Sequence, residues 1–254
     1  MSTLTLTSLL KFPLVEPGDD LVNQLLASLE TTGIALEDND LLVLAQKIVS
    51  KAEGRYGYLN DVQPSDAAVE LAESIDKDPR LVELILGESV EVIRQRPGVV
   101  VVEHRLGYVH ANAGIDKSNI SSDDSNPRVL LLPLDSDASA TSLRRLLRER
   151  TGKNINIIIN DSAGRAWRNG TVGMAIGTAG FESLENLIGD EDLFQRPMEV
   201  TEVAVADELA AAASYMMGQA AEGSPVVHIR GATLRSSEQG SRALIRPKSK
   251  DMFR

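Results

Sequence analysis

The sequence predicts an α+β fold, in which mixed sheets carry flanking helices. Candidate strands and helices follow one another irregularly, without the regular strand–helix–strand rhythm of a doubly wound sheet. Several short apolar runs are bounded by polar turn residues, which is typical of buried strands. Hydrophobic residues make up 43% of the 254 residues, which is enough to form a core.

Helices are predicted where apolar residues recur every three or four positions. The first follows the turn signal Pro17-Gly18, a later one follows the capping residue Asp135, and an alanine-rich helix is expected to stop at Gly218. The predicted helices are Asp19–Thr31, Asp66–Ile75, Pro79–Ile93, Asp137–Arg150 and Val200–Met217.

Strands are predicted at the continuous apolar runs. One long run is broken only by Gln46-Lys47, and another is expected to end at Asn160-Asp161-Ser162. Asn119–Pro127 is polar and is predicted to be a loop. The predicted strands are Leu41–Val49, Val99–Glu103, Tyr108–Ala111, Val129–Leu132, Ile155–Ile159 and Val226–Ile229.

The length suits one large domain or two intimately joined small ones. The chain has no repeat, no low-complexity tract and no glycine/serine linker. We therefore predict one domain over residues 1–235. Residues 236–254 are polar and are predicted to be a C-terminal tail that is partly ordered at best.

Composition excludes several functional classes. A formal net charge of -11 argues against nucleic-acid binding, which needs clustered Lys and Arg. Without cysteine, the chain has no disulfide, no thiolate metal site and no cysteine nucleophile. The N-terminus lacks the pattern of a signal peptide, and no apolar run approaches a membrane span. These features fit a cytoplasmic protein.

Familiar catalytic motifs are absent from the sequence. It contains no GxxxxGK[ST], no HExxH and no GxSxG. The histidines His104, His110 and His228 have no partner at metal-binding spacing, so we interpret each as a polar residue on a strand. A Ser-His-Asp triad has no positive support.

Two polar segments carry oxygen-rich side chains. In Asn112–Asn119, Asp116 and Asn119 are candidate hard ligands, and an Asx-rich turn is the alternative interpretation. In the segment that begins at Asp161-Ser162, a carboxylate and a hydroxyl can hold Mg²⁺ or Mn²⁺. Arg165 and Arg168 follow there and can neutralise phosphate. The alternative is a charged surface hairpin with Trp167 packed beneath it.

Two further segments contain groups that suit phosphates. Gly218–Pro225 is a glycine-containing turn whose backbone N–H groups can face a phosphate, and a plain helix cap is the alternative. Gln46–Arg55 contains lysines that can reach a phosphate, and a strand leaving the core is the alternative. Spacing and composition alone predict only an enzyme that uses phosphate and a divalent metal.

Taken together and in order, these segments resemble the coenzyme F-420-0:L-glutamate ligase (gamma-glutamyl ligase) family. The resemblance covers nearly the whole chain, and blocks in register are far more specific than any single block. The blocks are KFPLVEPGDDL, LLVLAQKIVSKAEGR, HANAGIDKSNI, LLPLDSDASA, INDSAGRAWRNGTVGMAIGTAG, VTEVAVADELAAAASYMMG, PVVHIRGATL and the closing ALIRPKSKDMFR.

The resemblance implies an intertwined homodimer with the active site near the subunit interface. It implies that GTP phosphorylates a terminal carboxylate of the coenzyme precursor F-420-0. The amine of L-glutamate then attacks the acyl phosphate, and later rounds join glutamates through their gamma-carboxylates. The expected cofactors are Mg²⁺ or Mn²⁺, as two ions, with a monovalent cation such as K⁺ as a further candidate. No nucleic acid and no membrane is expected as a partner.

The resemblance also assigns site residues. The implied metal ligands are Asp116, Asp161, Ser162 (where the family often has Thr) and Gln219. The implied nucleotide-binding residues are Phe12, Pro13, Leu14, Val15, Gln46, Lys47, Lys51, Asn119, Gly218, Gln219, Ala220, Ala221, Glu222, Gly223, Ser224 and Pro225. We predict that Asp116 and Asp161 are catalytic. Our own inference adds Arg165 and Arg168, which would neutralise charge in the transition state.

The chain departs from the family pattern at three points. Gln46-Lys47 replaces a small hydroxyl pair found in some archaeal members, and Phe12 stands where Leu is common. The sequence ends without the nitroreductase-like domain of some bacterial relatives, so we expect it to act alone or with a separate partner protein. Two alternatives stay open: a related carboxylate–amine ligase with another acceptor, and a non-catalytic nucleotide-binding module.

Overall fold

The computed structural model describes residues 3–252, which form an α+β fold around a mixed sheet. The helices in this part of the chain are α1 (Leu21–Thr32), α2 (Gln46–Ala52), α3 (Asp66–Ile75), α4 (Pro79–Gly87), α5 (Ser136–Thr151) and α6 (Val205–Met217). The strands are β1 (Thr5–Ser8), β2 (Leu41–Ala45), β3 (Tyr56–Tyr58), β4 (Ser89–Arg96), β5 (Val99–His104), β6 (Val109–Ala111), β7 (Arg128–Leu130), β8 (Asn156–Arg165), β9 (Arg168–Phe181), β10 (Glu185–Asn186), β11 (Glu202–Val203), β12 (Val226–Arg230) and β13 (Ser236–Ser237). The predicted fold class is confirmed.

The largest sheet has the strand order β1-β12-β2-β8-β9-β13. Its central pair, β2 and β8, is parallel, and the other neighbours are antiparallel. Smaller sheets are formed by β4-β5-β6, β3-β7 and β10-β11. Strands β8 and β9 form a long hairpin whose tip is exposed.

Both faces of the large sheet are covered, which explains the continuous apolar character of its central strands. Leu42 and Leu44 of β2 pack with residues of α1, α2 and α5. Leu41 and Val43 of the same strand pack with residues of α6 on the opposite face. A further core lies where α3 and α4 pack with Val100 and Val102 of β5. No helix within residues 3–252 combines the length and the apolarity that crossing a membrane requires.

Capping side chains fix several helix starts, as their residue types predict. Asp20 accepts a hydrogen bond from the backbone N–H of Asn23 at the start of α1, and Asp135 accepts one from Ala138 at the start of α5. Helix α5 ends at Gly152, which has a left-handed φ of 70°. The predicted helices at α1, α3 and α5 are confirmed to within a few residues.

Two predicted elements are each split in the structure. The run Leu41–Val49 is not one strand, because β2 ends at Ala45 and α2 begins at Gln46. The predicted helix Pro79–Ile93 ends at Gly87, and its second half belongs to β4. Buried apolar residues lie on both sides of the first change, and the partly buried Val92 and Ile93 continue the apolar pattern across the second, so hydrophobicity alone does not mark either boundary.

Two boundaries also differ from the prediction. The strand after Ile155 does not end at Asn160, because β8 continues to Arg165 as one arm of the long hairpin. The helix predicted from Val200 begins at Val205, and Glu202–Val203 forms strand β11. The helix end at Gly218 is confirmed.

The segment predicted as a C-terminal tail makes ordered contacts over its described residues. Strand β13 pairs with β9, and the backbone N–H of Ser241 donates to the Asp137 carboxylate at 2.8 Å. Lys248 forms an ion pair with Glu103 at 2.7 Å. Residues 236–252 therefore pack on the rest of the chain. The division of the chain at residue 235 stays a prediction.

Gly173 is required where β9 crosses α6. A Cβ atom at this position would lie 2.4 Å from the carbonyl oxygen of Ala210 and 2.5 Å from Cβ of Ser214. We expect Gly173→Ala to lower the free energy of unfolding by about 1–3 kcal/mol or more, because backbone must move. Gly164→Ala is the matched control, since its Cβ would meet no atom within 4 Å. Equal urea midpoints for the two variants would refute this explanation.

Candidate active site

A cavity of about 740 Å³ has a volume within the range of small-molecule sites. It lies beside the end of β2, the start of α2, the middle of β8 and the end of α6. The segments Phe12–Val15 and Gly218–Pro225 form further parts of its wall. All the predicted metal ligands and all the predicted nucleotide-binding residues line this one cavity.

Asp116 is one of three carboxylate residues that line the cavity, with Asp161 and Glu222. Its Oδ2 accepts a hydrogen bond from Nε2 of Gln46 at 2.8 Å, and its Oδ1 lies 3.4 Å from Nζ of Lys47. Burial raises the pKa of Asp116 to about 6, against the opposing charge of Lys47 and with the added repulsion of Asp161. The two acids are therefore close enough to interact, and the ionised form of Asp116 is costly.

A left-handed turn precedes Asp116. Asn112, Ala113 and Gly114 have φ values of 51°, 54° and 68°. Ala113 is fully buried, and this backbone region is unfavourable for a residue with a Cβ. Asp116 then exchanges two backbone hydrogen bonds with Leu130, each of 2.9 Å. This local strain and pairing fix the direction from which the Asp116 carboxylate enters the cavity.

Asp161 and Ser162 enter from β8. The Asp161 carboxylate accepts a hydrogen bond from the backbone N–H of Ser162 at 2.8 Å, and its other oxygen lies 3.1 Å from Nε2 of His110. The Ser162 hydroxyl donates to Oε1 of Gln219 at 2.8 Å. The structure thus brings Asp161, Ser162 and Gln219 together, although they come from a strand and from the turn after α6.

Two lysines of α2 line the same cavity. Nζ of Lys47 donates to Oγ of Ser118 at 3.0 Å, and Nζ of Lys51 donates to the carbonyl oxygen of Asn119 at 2.7 Å. Burial lowers the pKa of Lys51, as does the nearby charge of Lys47. Nδ2 of Asn119 donates to the carbonyl oxygen of Ala220 at 3.0 Å. Asn119 therefore connects the loop after Asp116 to the turn after α6.

Two contacts at the carboxylates were not anticipated from the sequence. Gln46 was expected to contact nucleotide, and in the structure its amide joins Asp116 to the hydroxyl of Ser50, which donates to Oε1 at 2.9 Å. His110 was interpreted only as a strand residue, and it lies against Asp161. On β6, His110 is buried between exposed Val109 and Ala111, the reverse of what the apolarity of these neighbours predicts, so the sequence carries no signal of this inward side chain.

Arg165 and Arg168 lie at the exposed tip of the β8–β9 hairpin and do not line the cavity. Four residues of extended chain separate Arg165 from Asp161, which corresponds to about 13 Å. Their expected catalytic role stays a prediction that this single chain does not support geometrically. The alternative, a charged surface hairpin, is confirmed, but its placement of Trp167 beneath the hairpin is wrong, because Trp167 is 87% exposed.

The donor set suits a hard cation better than a soft one. Within residues 3–252, no three His, Asp or Glu side chains are grouped so that they could hold a metal ion by themselves. The cavity instead combines two carboxylates with a hydroxyl and an amide oxygen, from Asp116, Asp161, Ser162 and Gln219. Oxygen donors of this kind fit Mg²⁺ or Mn²⁺.

The raised pKa of Asp116 predicts a stability effect. A carboxyl group whose pKa is higher in the folded state than its ordinary value of 3.8 destabilises the fold when it is ionised. Above neutral pH and in chelator, we expect Asp116→Asn to raise the free energy of unfolding by about 1 kcal/mol or more. Urea denaturation measures this effect. The control Asp61→Asn, at an exposed position, should stay within about 0.5 kcal/mol.

Fold and site together define an α+β protein whose cavity is lined by carboxylates and lysines. Residues 9–231 match the family model described as F420-0:Gamma-glutamyl ligase. The chain belongs to this family, and it is a ligase that forms carbon–nitrogen bonds.

Curated relatives match over almost their full lengths. The Coenzyme F420:L-glutamate ligase of Methanothermobacter thermautotrophicus is 48% identical over 95% of both chains. Those of Methanopyrus kandleri and Methanocaldococcus jannaschii are 44% and 40% identical, over 94% and 96% of this chain and 93% and 95% of their own. The family resemblance found in the sequence blocks is confirmed.

Proposed function

We propose that the protein adds L-glutamate to the coenzyme F-420 precursor in a reaction driven by GTP. Successive rounds would extend the product through gamma-linked glutamates. The observation that carries the proposal is the convergence of Asp116, Asp161, Ser162 and Gln219 with Lys47 and Lys51 on one cavity. The names of the relatives supply the acceptor and the amine donor, and the family match over residues 9–231 includes every segment that lines the cavity.

The nucleotide is proposed to bind between Phe12–Val15 and Gly218–Pro225. The first segment offers apolar surface for a base, and the turn offers backbone N–H groups for phosphates. Lys47 and Lys51 lie on the same wall, where their charges oppose those of the phosphates. Gly218 has a φ of 73°, and a Cβ there would meet the side chain of Glu222. Glycine therefore allows the backbone of Gly218 to lie against the side chain of Glu222 in this turn.

Divalent ions are proposed to bind at Asp116, Asp161, Ser162 and Gln219. Burial and, to a smaller extent, repulsion by Asp161 raise the pKa of Asp116, and a bound cation would offset both costs of its ionised form. Divalent ions held there would neutralise phosphate charge and orient the reacting oxygens. Ser162 and Gln219 are hydrogen-bonded to each other, so their oxygens already face the same place.

The proposed chemistry begins when an oxygen of the precursor carboxylate attacks the γ-phosphorus of GTP. The bond to the β-phosphate oxygen breaks, GDP leaves, and an acyl phosphate forms. The amine of L-glutamate then attacks the acyl carbon, phosphate leaves with the carboxylate oxygen, and the amine loses a proton. The chain's own contribution is to position the reactants and balance phosphate charge, as phosphoryl transfer requires.

A homodimer and a cytoplasmic location are further parts of the proposal. The β8–β9 hairpin exposes Trp167. In residues 186–201, Leu193 is 99% exposed, Phe194 78% exposed and Val200 84% exposed. Exposed apolar side chains on projecting segments are typical of subunit interfaces. Light scattering at several protein concentrations tests the dimer, and a constant monomer mass would exclude it.

The experiment that tests the function is a ligation assay followed by mass spectrometry. Purified protein is mixed with the precursor, L-glutamate, Mn²⁺ or Mg²⁺, and GTP or ATP. We expect product heavier by one or more glutamyl units, formed only with metal and with GTP. Product formed with ATP instead would correct the nucleotide. Nucleotide binding without any product would favour another acceptor or a non-catalytic module.

A further inference from the structure

His110 is a buried histidine that contacts the cavity residue Asp161 from a neighbouring sheet. It is the middle residue of β6, pairs with Val102 of β5, and lies between the exposed residues Val109 and Ala111. Strand β6 packs against β8, so the imidazole points across the contact between the two sheets. The side chain is 8% exposed.

The imidazole is oriented from both of its nitrogens. Nε2 lies 3.1 Å from Oδ2 of Asp161, which is within ion-pair distance. The angles at this contact do not meet those of a full hydrogen bond. Nδ1 lies 3.3 Å from the carbonyl oxygen of Ala111. The remaining oxygen of Asp161 accepts from the backbone N–H of Ser162 at 2.8 Å. The Asp161 carboxylate therefore has a neighbour on each side, which limits its rotation.

The other two histidines face acids in a different setting. His228 lies 2.9 Å from Asp40, which also forms an ion pair with Arg230. His104 faces Glu88, which binds two arginines. Among the ion pairs of residues 3–252, Asp161 pairs with His110 and with no arginine or lysine. Asp161 is thus the one of these three acids that faces the cavity and has no guanidinium as a partner.

We propose that His110 is a positioning residue that holds the Asp161 carboxylate in the orientation needed to bind a divalent cation. The inference rests on the proposed function, because it assumes that Asp161 is a ligand. A residue that contacts a metal-binding side chain orients that side chain, and its loss typically weakens metal binding about 10–100-fold. The sequence contains no motif that indicates this role of His110.

The test uses two amide variants that differ only in reach. The amide nitrogen of Gln can stand where Nε2 of histidine stands, whereas the shorter Asn cannot extend to Asp161. Free Mn²⁺ is measured by electron paramagnetic resonance during titration of His110→Gln, His110→Asn and the unchanged protein. The matched control is His228→Asn, which alters a similar buried His–Asp pair away from the cavity.

We expect His110→Asn to weaken Mn²⁺ binding about 10–100-fold, while His110→Gln stays near the unchanged protein. His228→Asn should leave the affinity for Mn²⁺ unchanged even where it lowers the unfolding midpoint. Equal affinities of the two His110 variants for Mn²⁺ would overturn the positioning role. If His110→Asn does not fold, His110→Gln decides alone, because a strongly weakened Mn²⁺ affinity in His110→Gln would also overturn the role. Absence of Mn²⁺ binding by the unchanged protein would instead refute the metal site of the proposed function.

Discussion

Asp161→Asn is expected to lower the turnover number of ligation by about two to three orders of magnitude. The substitution removes the charge of one of the two aspartates that line the cavity, while the amide keeps the same size and an oxygen that can face His110. The fold should therefore survive the change. The turnover number comes from the ligation assay at saturating metal and nucleotide, together with an unfolding curve.

The control for this prediction is Asp61→Asn. Asp61 is exposed on a short turn and does not line the cavity, yet its substitution removes the same unit of charge. It should ligate like the unchanged protein. If Asp161→Asn also turns over normally while it remains folded, Asp161 has to be removed from the catalytic residues.

Glu88→Gln is expected to lower the free energy of unfolding by about 3 kcal/mol. Glu88 accepts hydrogen bonds from Nη2 of Arg55 to both oxygens, at 2.9 and 3.0 Å, and from Nε of Arg105 at 3.0 Å. The same arginines also donate to the carbonyl oxygens of Leu132 and Leu134. Losing the carboxylate charge leaves two partly buried guanidinium groups without their counter-ion.

The pH dependence of this effect follows from the lowered pKa of Glu88. Burial opposes the charged form, but His104 and the arginines outweigh it and lower the pKa from 4.5 to about 2. The stabilisation is therefore fully present above the unfolded value of 4.5 and is lost as the pH falls toward about 2. Glu88→Gln should accordingly show a shallower loss of stability in acid than the unchanged protein.

Glu149→Gln is the matched control for Glu88→Gln. Glu149 pairs with Arg145 on the surface of α5, where both side chains are more than half exposed. Such a pair contributes less than about 1 kcal/mol. Urea denaturation over a range of pH values compares the variants. Similar losses for Glu88→Gln and Glu149→Gln would show that the Glu88 cluster is no more important than a surface pair.

The sequence predicted the elements whose local signals agree with their packing. Helix α5 has an aspartate cap and a terminal glycine, and its prediction is confirmed. The boundary between β2 and α2 was missed because Leu42 and Ile48 join the same core, so the apolar run continues through the change. The start of β4 was missed because its apolar residues continue the pattern of the preceding helix. Tertiary packing decides such boundaries.

The cavity was largely predicted because its residues lie in contiguous blocks that carry a family resemblance. The contacts between blocks were not predicted, since pairs such as Gln46 with Asp116 and His110 with Asp161 depend on how separate sheets meet. For Arg165, closeness in sequence to Asp161 suggested a shared site. In the structure, the extended strand β8 carries Arg165 away from the cavity.

Transfer of oxygen from the precursor carboxylate to phosphate tests the central claim most directly. The claim is that this cavity activates a carboxylate by phosphorylation before the amine attacks. The precursor is prepared with oxygen-18 in its terminal carboxylate, and the phosphate released during ligation is analysed by mass spectrometry. The account predicts one labelled oxygen in phosphate for each first glutamate added, whereas later rounds activate the unlabelled carboxylate of an added glutamate and release unlabelled phosphate. Addition of the first glutamate with unlabelled phosphate would contradict an acyl-phosphate route.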